Sequence, residues 1–157
     1  MDEATREQIR QRIEQAFSFG VPHNKALGLR TLEWKKGEIV LALPWRDDLV
    51  GNPETGVLHD GAVSSLLDAA SGASVFLAMQ QIRRVATLDL RIDYLRPAEA
   101  RKDVHARASC YHLTRRIAFT RAEAFHPGEP EVPVAYSVGT FMVFDDDERT
   151  TARKIQP

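Results

Sequence analysis

The sequence predicts an α+β domain in which one long central helix is wrapped by a curved antiparallel sheet, with a further helix at the N-terminus. Three observations point there. Residues 59–79 carry only two charges, Asp60 and Asp68, and have the length of a core helix. Four segments after position 83 alternate apolar and polar residues with the period of a strand. They follow one another with no helix between them, which is the order of an antiparallel sheet rather than of βαβ units.

Composition bounds the rest. The chain has 157 residues, 43% hydrophobic and 27% charged, and 21 Lys+Arg against 22 Asp+Glu leave a net charge of -1. Such a length fits a single domain, and the charge balance argues against a general nucleic-acid binder. One cysteine, Cys110, excludes an internal disulfide and a multi-cysteine metal site. No apolar run is expected to reach a membrane span of about 20 residues. The start, Met1-Asp2-Glu3-Ala4, lacks the pattern of a signal peptide. The expected location is the cytoplasm.

Residues 3–18 read as a helix, with Ile9, Ile13 and Ala16/Phe17 on one face and Phe19-Gly20-Val21-Pro22 as its stop. The N-terminal helix is assigned to 1–20, the main domain to 21–144 and a charged tail to 145–157. Leu29–Lys35 and Glu38–Pro44 flank the turn Lys36-Gly37 and predict a hairpin. Residues 45–58 are rich in turn chemistry, and a loop of that length in a compact domain is more often functional than decorative. His59–Met79 is the long helix. Arg83–Leu95, Asp103–Leu113, Arg116–Phe125 and Val132–Phe144 are the four strands. In the first of these the pattern places Ala86, Leu88, Leu90, Ile92 and Tyr94 on one face and Thr87, Asp89, Arg91 and Asp93 on the other. Cys110 reads as a small core residue, and Trp34 and Trp45 as core or rim. His23, His105, His112 and His126 match no metal-ligand spacing. Asp145-Asp146-Asp147-Glu148 reads as a solvated tail.

The segment Leu58-His59-Asp60-Gly61-Ala62-Val63-Ser64-Ser65-Leu66-Leu67-Asp68 opens the long helix. The first amides of a helix lack intrahelical partners and carry the positive end of its dipole, so they can hold a developing oxyanion. Asp68 lies about two turns further in and shares a face with Ser64 and Ser71. The residues alone leave two readings open. Asp68 is a site carboxylate, or it belongs to a solvated stripe while His59 and Asp60 merely cap the helix.

This pattern resembles the PaaI-like branch of the hot-dog fold acyl-CoA thioesterases, whose signature is His-Gly-Gly followed about eight residues later by Asp or Glu. Three further segments resemble the family in the same order: Val85–Pro97 with Tyr94-Leu95-Arg96-Pro97 at its end, Thr114-Arg115-Arg116-Ile117-Ala118-Phe119, and Val134-Ala135-Tyr136-Ser137-Val138-Gly139-Thr140-Phe141. The resemblance covers residues 25–144. It implies a hot-dog fold, a homodimer or homotetramer with sites at the dimer interface, and hydrolysis of an acyl-CoA or related thioester without metal or other cofactor. It places Asp68 as general base or nucleophile and the amide after His59 as the group that polarises the thioester carbonyl. Gly61 belongs to the same turn. Thr87 stands where a Ser or Thr of the partner subunit orients water, and Asn52 where some members carry an Asn or Gln facing the carboxylate. His59 is assigned to tying the loop to the helix.

One departure is Asp60, which replaces the first glycine of the signature. It keeps the amide, but adds a carboxylate that would oppose an oxyanion unless it points away. Arg96, Arg115 and Arg116 are candidates for the coenzyme A phosphates, because guanidinium binds phosphate bidentately. The loop at 46–58 and the region 75–82, with Phe76 and Met79, are candidates for shaping the acyl pocket. Two other functions suit the same fold. One is a non-catalytic acyl-CoA or ligand-binding protein. The other is a hydratase of enoyl thioesters, which would want an Asp and a His a few residues apart, whereas His59 and Asp60 are adjacent.

Overall fold

The computed structural model describes residue 11, residues 14–79 and residues 83–145. Six strands form one antiparallel sheet. Along the chain they are β1 (Arg30–Lys35), β2 (Glu38–Leu43), β5 (Val85–Tyr94), β6 (Val104–Leu113), β7 (Ile117–Phe125) and β8 (Ala135–Val143), with β3 (Val50–Asn52) and β4 (Val57–Leu58) forming a separate small hairpin. The spatial order of the large sheet is β1-β2-β6-β7-β8-β5, so β1 and β5 are its edges. The long helix α2 spans Asp60–Met79 and lies against β2, β6 and β7.

The packing follows from side-chain size. Leu66, Leu67, Ala70 and Ala73 of α2 are buried against Leu41, Ala106, Ala108, Ala122 and Ala124 of the sheet. Alanines on the sheet let the helix approach closely while its leucines fill the space between. By length and composition α2 could cross a bilayer, contrary to the expectation that no segment approaches a span. Half of it is buried within the chain, as for the core helix of a wrapped sheet.

Strand boundaries fall within three residues of expectation, and the predicted hairpin is β1–β2. The N-terminal region differs. Of the predicted helix 3–18, residues 3–10, 12 and 13 lie outside the described set, and Glu14–Phe19 is a π-helical turn. Pro22 does not simply stop a helix. It starts the short helix α1 (Pro22–Leu27), because proline's fixed φ and missing N–H suit a first helical position. Residues 45–58 are not irregular throughout, since they hold a 3₁₀ turn at Asp47–Leu49 and the β3–β4 hairpin.

The alternation predicted for β5 is wrong in its first half. Thr87 pairs with Phe141 and Asp89 with Thr140, so Leu88 is an extra residue in a bulge. One inserted residue reverses which face every earlier residue takes. Val85 and Thr87 therefore face α2 together with Leu90 and Ile92, while Leu88 is exposed. Cys110 sits at a second irregularity, between Cys110 and His112, and is half-buried rather than a full core residue. Trp34 and Trp45 pack partly buried against the core, as expected.

Candidate active site

The head of α2 is built by a histidine cap. His59 Nδ1 accepts the Gly61 amide at 2.8 Å, and the His59 carbonyl accepts the Ala62 amide at 2.9 Å. The imidazole thus takes the place of an Asp or Ser side chain at the N-cap. Two glycines permit it. A Cβ on Gly61 would lie 2.9 Å from His59 Nδ1, and one on Gly51 would lie 3.0 Å from the His59 Cα. With Nδ1 accepting, a neutral His59 carries its proton on Nε2, where it can donate. Among the hydrogen bonds of the described residues none uses the Asp60 amide, the first donor of the helix.

Two clamps fix this turn. Tyr94, at the end of β5, places its hydroxyl 2.6 Å from Ser64 Oγ and donates to the Asp60 carbonyl at 2.9 Å. Ser64 Oγ also reaches that carbonyl, at 2.9 Å. Two hydroxyl protons serve these three contacts. On the other side Ser65 Oγ donates to the Gly61 carbonyl at 2.9 Å and lies 3.1 Å from His23 Nε2 of α1. Since the Ser65 proton is committed to the carbonyl, His23 Nε2–H is the donor to Ser65.

Asp68 follows two turns on. Thr87 Oγ1 donates to Asp68 Oδ1 at 2.8 Å. Both residues line a 520 Å³ cleft, open to solvent, between α2, α1 and β5. Its floor along α2 is Ala69, Gly72 and Ala73, and its remaining walls include Phe17, Phe76 and Phe141. A second, 410 Å³ depression over the helix head is lined by Asp48, Leu49, His59 and Gly61 and shares His23 and Ser65 with the first. In that depression the Arg46 guanidinium, bonded to Asp48, holds the Asp48 carboxyl below its ordinary range. A third hollow, of 510 Å³, lies on the outer face of the sheet and is lined by none of Asn52, His59, Asp60, Gly61, Asp68 and Thr87.

The structure thus joins Asp68 and Thr87 in one cleft and places His59 and Gly61 in the adjoining one. Within a single chain it brings Thr87 to Asp68. Asp60 is exposed in the first turn of α2, and its carbonyl rather than its carboxylate makes the local bonds. Asn52 accepts the Glu54 amide at 2.9 Å in its own turn and lines neither cleft. Arg96 donates to the Val132 carbonyl at 2.8 Å and lies 3.6 Å from Glu99, while its buried Nε has no hydrogen-bond partner among the described residues. Arg115 is exposed, 3.8 Å from Asp145, and the Arg116 carbonyl accepts the Val143 amide. Arg83, bonded to Asp145, and Arg84, stacked over Phe144, share this end of the sheet and were not anticipated. Nor were His23, Tyr94 and Phe17. Tyr94 lies in the Tyr94-Leu95-Arg96-Pro97 segment, which assigns it no role of its own, and the signal of His23 and Phe17 in sequence is only their type, since each reaches the site through tertiary packing.

Residues 55–132 match the model of the thioesterase superfamily. Over 152 residues the chain is 30% identical to the medium/long-chain acyl-CoA thioesterase YigI of Salmonella typhimurium, with 88% of this chain and 96% of that one covered. The chain belongs to the thioesterase superfamily. A solved protein from Pseudomonas aeruginosa shares this thioesterase's fold at 38% identity, covering 85% of this chain and 98% of that one with a TM-score of 0.76. A variant of the phenylacetic acid degradation protein PaaI from Thermus thermophilus is 32% identical, covering 79% and 100% with a TM-score of 0.68. The sheet and central helix of this thioesterase are therefore a hot-dog fold, of the PaaI-like kind.

Proposed function

We propose that this thioesterase hydrolyses acyl-CoA thioesters with Asp68 as the general base. The observation that carries the reading is the carboxylate itself. It sits at the wall of an apolar cleft with Oδ1 held by Thr87, which leaves Oδ2 for a water molecule. Asp68 takes a proton from that water as the oxygen attacks the thioester carbonyl. The carbonyl oxygen, gaining charge, is received by the amide of Asp60 of the partner subunit and the N-terminal dipole of its helix, because within one chain that amide lies about 12 Å along α2 from Asp68. Collapse of the tetrahedral intermediate breaks the C–S bond, and the thiolate leaves with the proton from Asp68. The overall reaction consumes one water and yields a free acid and a thiol. The relation to YigI supports an acyl chain of medium or long length.

The working unit in this reading is a cytoplasmic homodimer or a pair of such dimers. Support comes from β5, an unpaired sheet edge carrying exposed Leu88 and Tyr94, with Leu95 just beyond it. An exposed, apolar strand edge is a template for pairing with another chain. Antiparallel pairing of two copies through β5 sets the start of one strand beside the end of the other. The arginine cluster of one copy, Arg83, Arg84, Arg115 and Arg116, then approaches the helix head of its partner, where the phosphates of coenzyme A would emerge.

The test is thiol release over a panel of acyl-CoAs, comparing the wild type with Asp68→Asn. Retained turnover in the variant removes Asp68 from its role. Binding of acyl-CoA without turnover by the wild type returns the protein to the ligand-binding alternative. Light scattering that shows only a monomer contradicts the shared site.

A further inference from the structure

We propose that Phe17, from the N-terminal π-helical turn, closes the acyl cleft against Phe76 and sets the longest acyl chain the enzyme accepts. This deepens the proposed function and rests on it.

The cleft is a trough along one face of α2. Ser64/Ser65, Asp68/Ala69, Gly72/Ala73 and Phe76 recur at helical spacing and all line it. From Asp68 to Phe76 the axial rise is about 12 Å, at about 1.5 Å per residue. The floor between these two residues is small. A Cβ on Gly72 would meet only Phe141, at 3.7 Å, so the trough is clear above it. At its end it is not clear. The Phe17 and Phe76 rings lie 5.0 Å apart, tilted by 55°, and both belong to the lining. A chain extending from a thioester at Asp68 along this trough meets the aromatic pair after about 12 Å, the reach of a medium-length acyl group.

Phe17 is held in that position by more than its ring. Asn24, itself buried in α1, donates its side-chain amide to the Phe17 carbonyl at 2.7 Å. The turn carrying Phe17 is π-helical, a local widening that recurs at functional sites. A wall made by an added N-terminal segment can change with little cost to the sheet. Phe76, by contrast, is fixed to the core helix. The stop is therefore half rigid and half adjustable.

The test compares kcat/KM for octanoyl-, dodecanoyl- and hexadecanoyl-CoA in the wild type, Phe17→Ala, Phe17→Leu and Phe17→Trp. Opening the end should raise the hexadecanoyl-to-octanoyl ratio about tenfold in Phe17→Ala, since a few methylenes in an apolar pocket discriminate on that scale. Phe17→Leu, close in volume, should fall between, and Phe17→Trp should lower the ratio. Thermal melting of each variant reports folding separately, and the ratio is read within one variant, so a lower folded fraction cancels. Unchanged ratios in all three variants, with an active wild type, overturn the inference and leave the thioesterase reading intact. A wild type inactive on every thioester overturns that reading instead. If Phe17→Ala does not fold, the opposite shifts expected of the Leu and Trp variants decide the matter.

Discussion

Thr87 reaches Asp68 because of Leu88. The bulged leucine lets Thr87 pair with Phe141 on the inward face of β5, and from there its hydroxyl donates to Asp68 Oδ1 at 2.8 Å. An unbulged strand would present Thr87 on the face opposite Leu90, away from the helix.

This gives a prediction on two levels. Thr87→Val removes one hydrogen bond to a charged group, worth about 1.5–3 kcal/mol, and should lower kcat about tenfold to a hundredfold. Thr87→Ser should restore most of it. Deleting Leu88 removes the extra residue but leaves Thr87 two positions before Leu90, on the same inward face. Thiol-release kinetics of the deletion variant should therefore stay above those of Thr87→Val, and a loss as large as for Thr87→Val would mean that the local twist of the bulge, and not only the face it assigns to Thr87, is needed for the contact.

How far this was legible in the sequence differs by residue. Asp68 stood out because an acid on an otherwise uncharged helix face has few structural uses. The antiparallel sheet followed from period-two patterning in successive segments, whereas its order, with β5 at the edge beside β8, did not. The Thr87 contact could not be read, since Ala86-Thr87-Leu88-Asp89 contains neither glycine nor any other mark of a bulge. The helix at Pro22 was hidden for a related reason, because proline both ends helices and begins them. Phe17 and Phe76, or His23 and Ser65, are far apart in the chain, and only packing brings them together.

Gly61 offers a test in which propensity and packing oppose each other. Alanine is favoured over glycine inside a helix by about 1 kcal/mol. Here the new Cβ would fall 2.9 Å from His59 Nδ1, against the atom that caps the Gly61 amide. Loss of a cap costs about 1 kcal/mol, and the displaced ring adds to it. Gly61→Ala should therefore lower Tm rather than raise it. His59→Ala should lower it too, and in the double variant the two effects should fall short of additive. A raised Tm for Gly61→Ala would show that the cap contributes nothing.

His105 predicts a pH dependence of stability. Burial beside Phe125 holds its imidazole below the ordinary histidine value, with His126 acting in the same direction and Asp103 against both. The unfolded chain, with a histidine pKa of about 6.5, then binds more protons than the folded one at mildly acidic pH. Stability from this group is complete above about pH 6.5 and is lost as pH falls from there toward the folded-state value. Urea midpoints measured from about pH 7.5 to about pH 5 should fall on the acidic side. The fall should be shallower in His105→Gln, and equal slopes would exclude His105 as a source.

Tyr94 ties the sheet edge to the head of the long helix. Its hydroxyl meets both Ser64 Oγ and the Asp60 carbonyl, so it braces the peptide that follows the proposed oxyanion donor. Tyr94→Phe removes only the oxygen and leaves the ring against the helix. Ser64 Oγ still reaches the Asp60 carbonyl at 2.9 Å, so that group keeps one partner and the stability loss should stay near about 1 kcal/mol. The geometry of the turn is what loosens. A donor displaced by a fraction of an ångström stabilises charge in the transition state less than it binds the ground state, so kcat should fall several-fold while KM changes little. A change in KM alone would place Tyr94 in substrate binding instead. Because Tyr94 is also exposed on the free edge of β5, light scattering of the same variant separates a loss of turnover within each subunit from a loss of pairing between them.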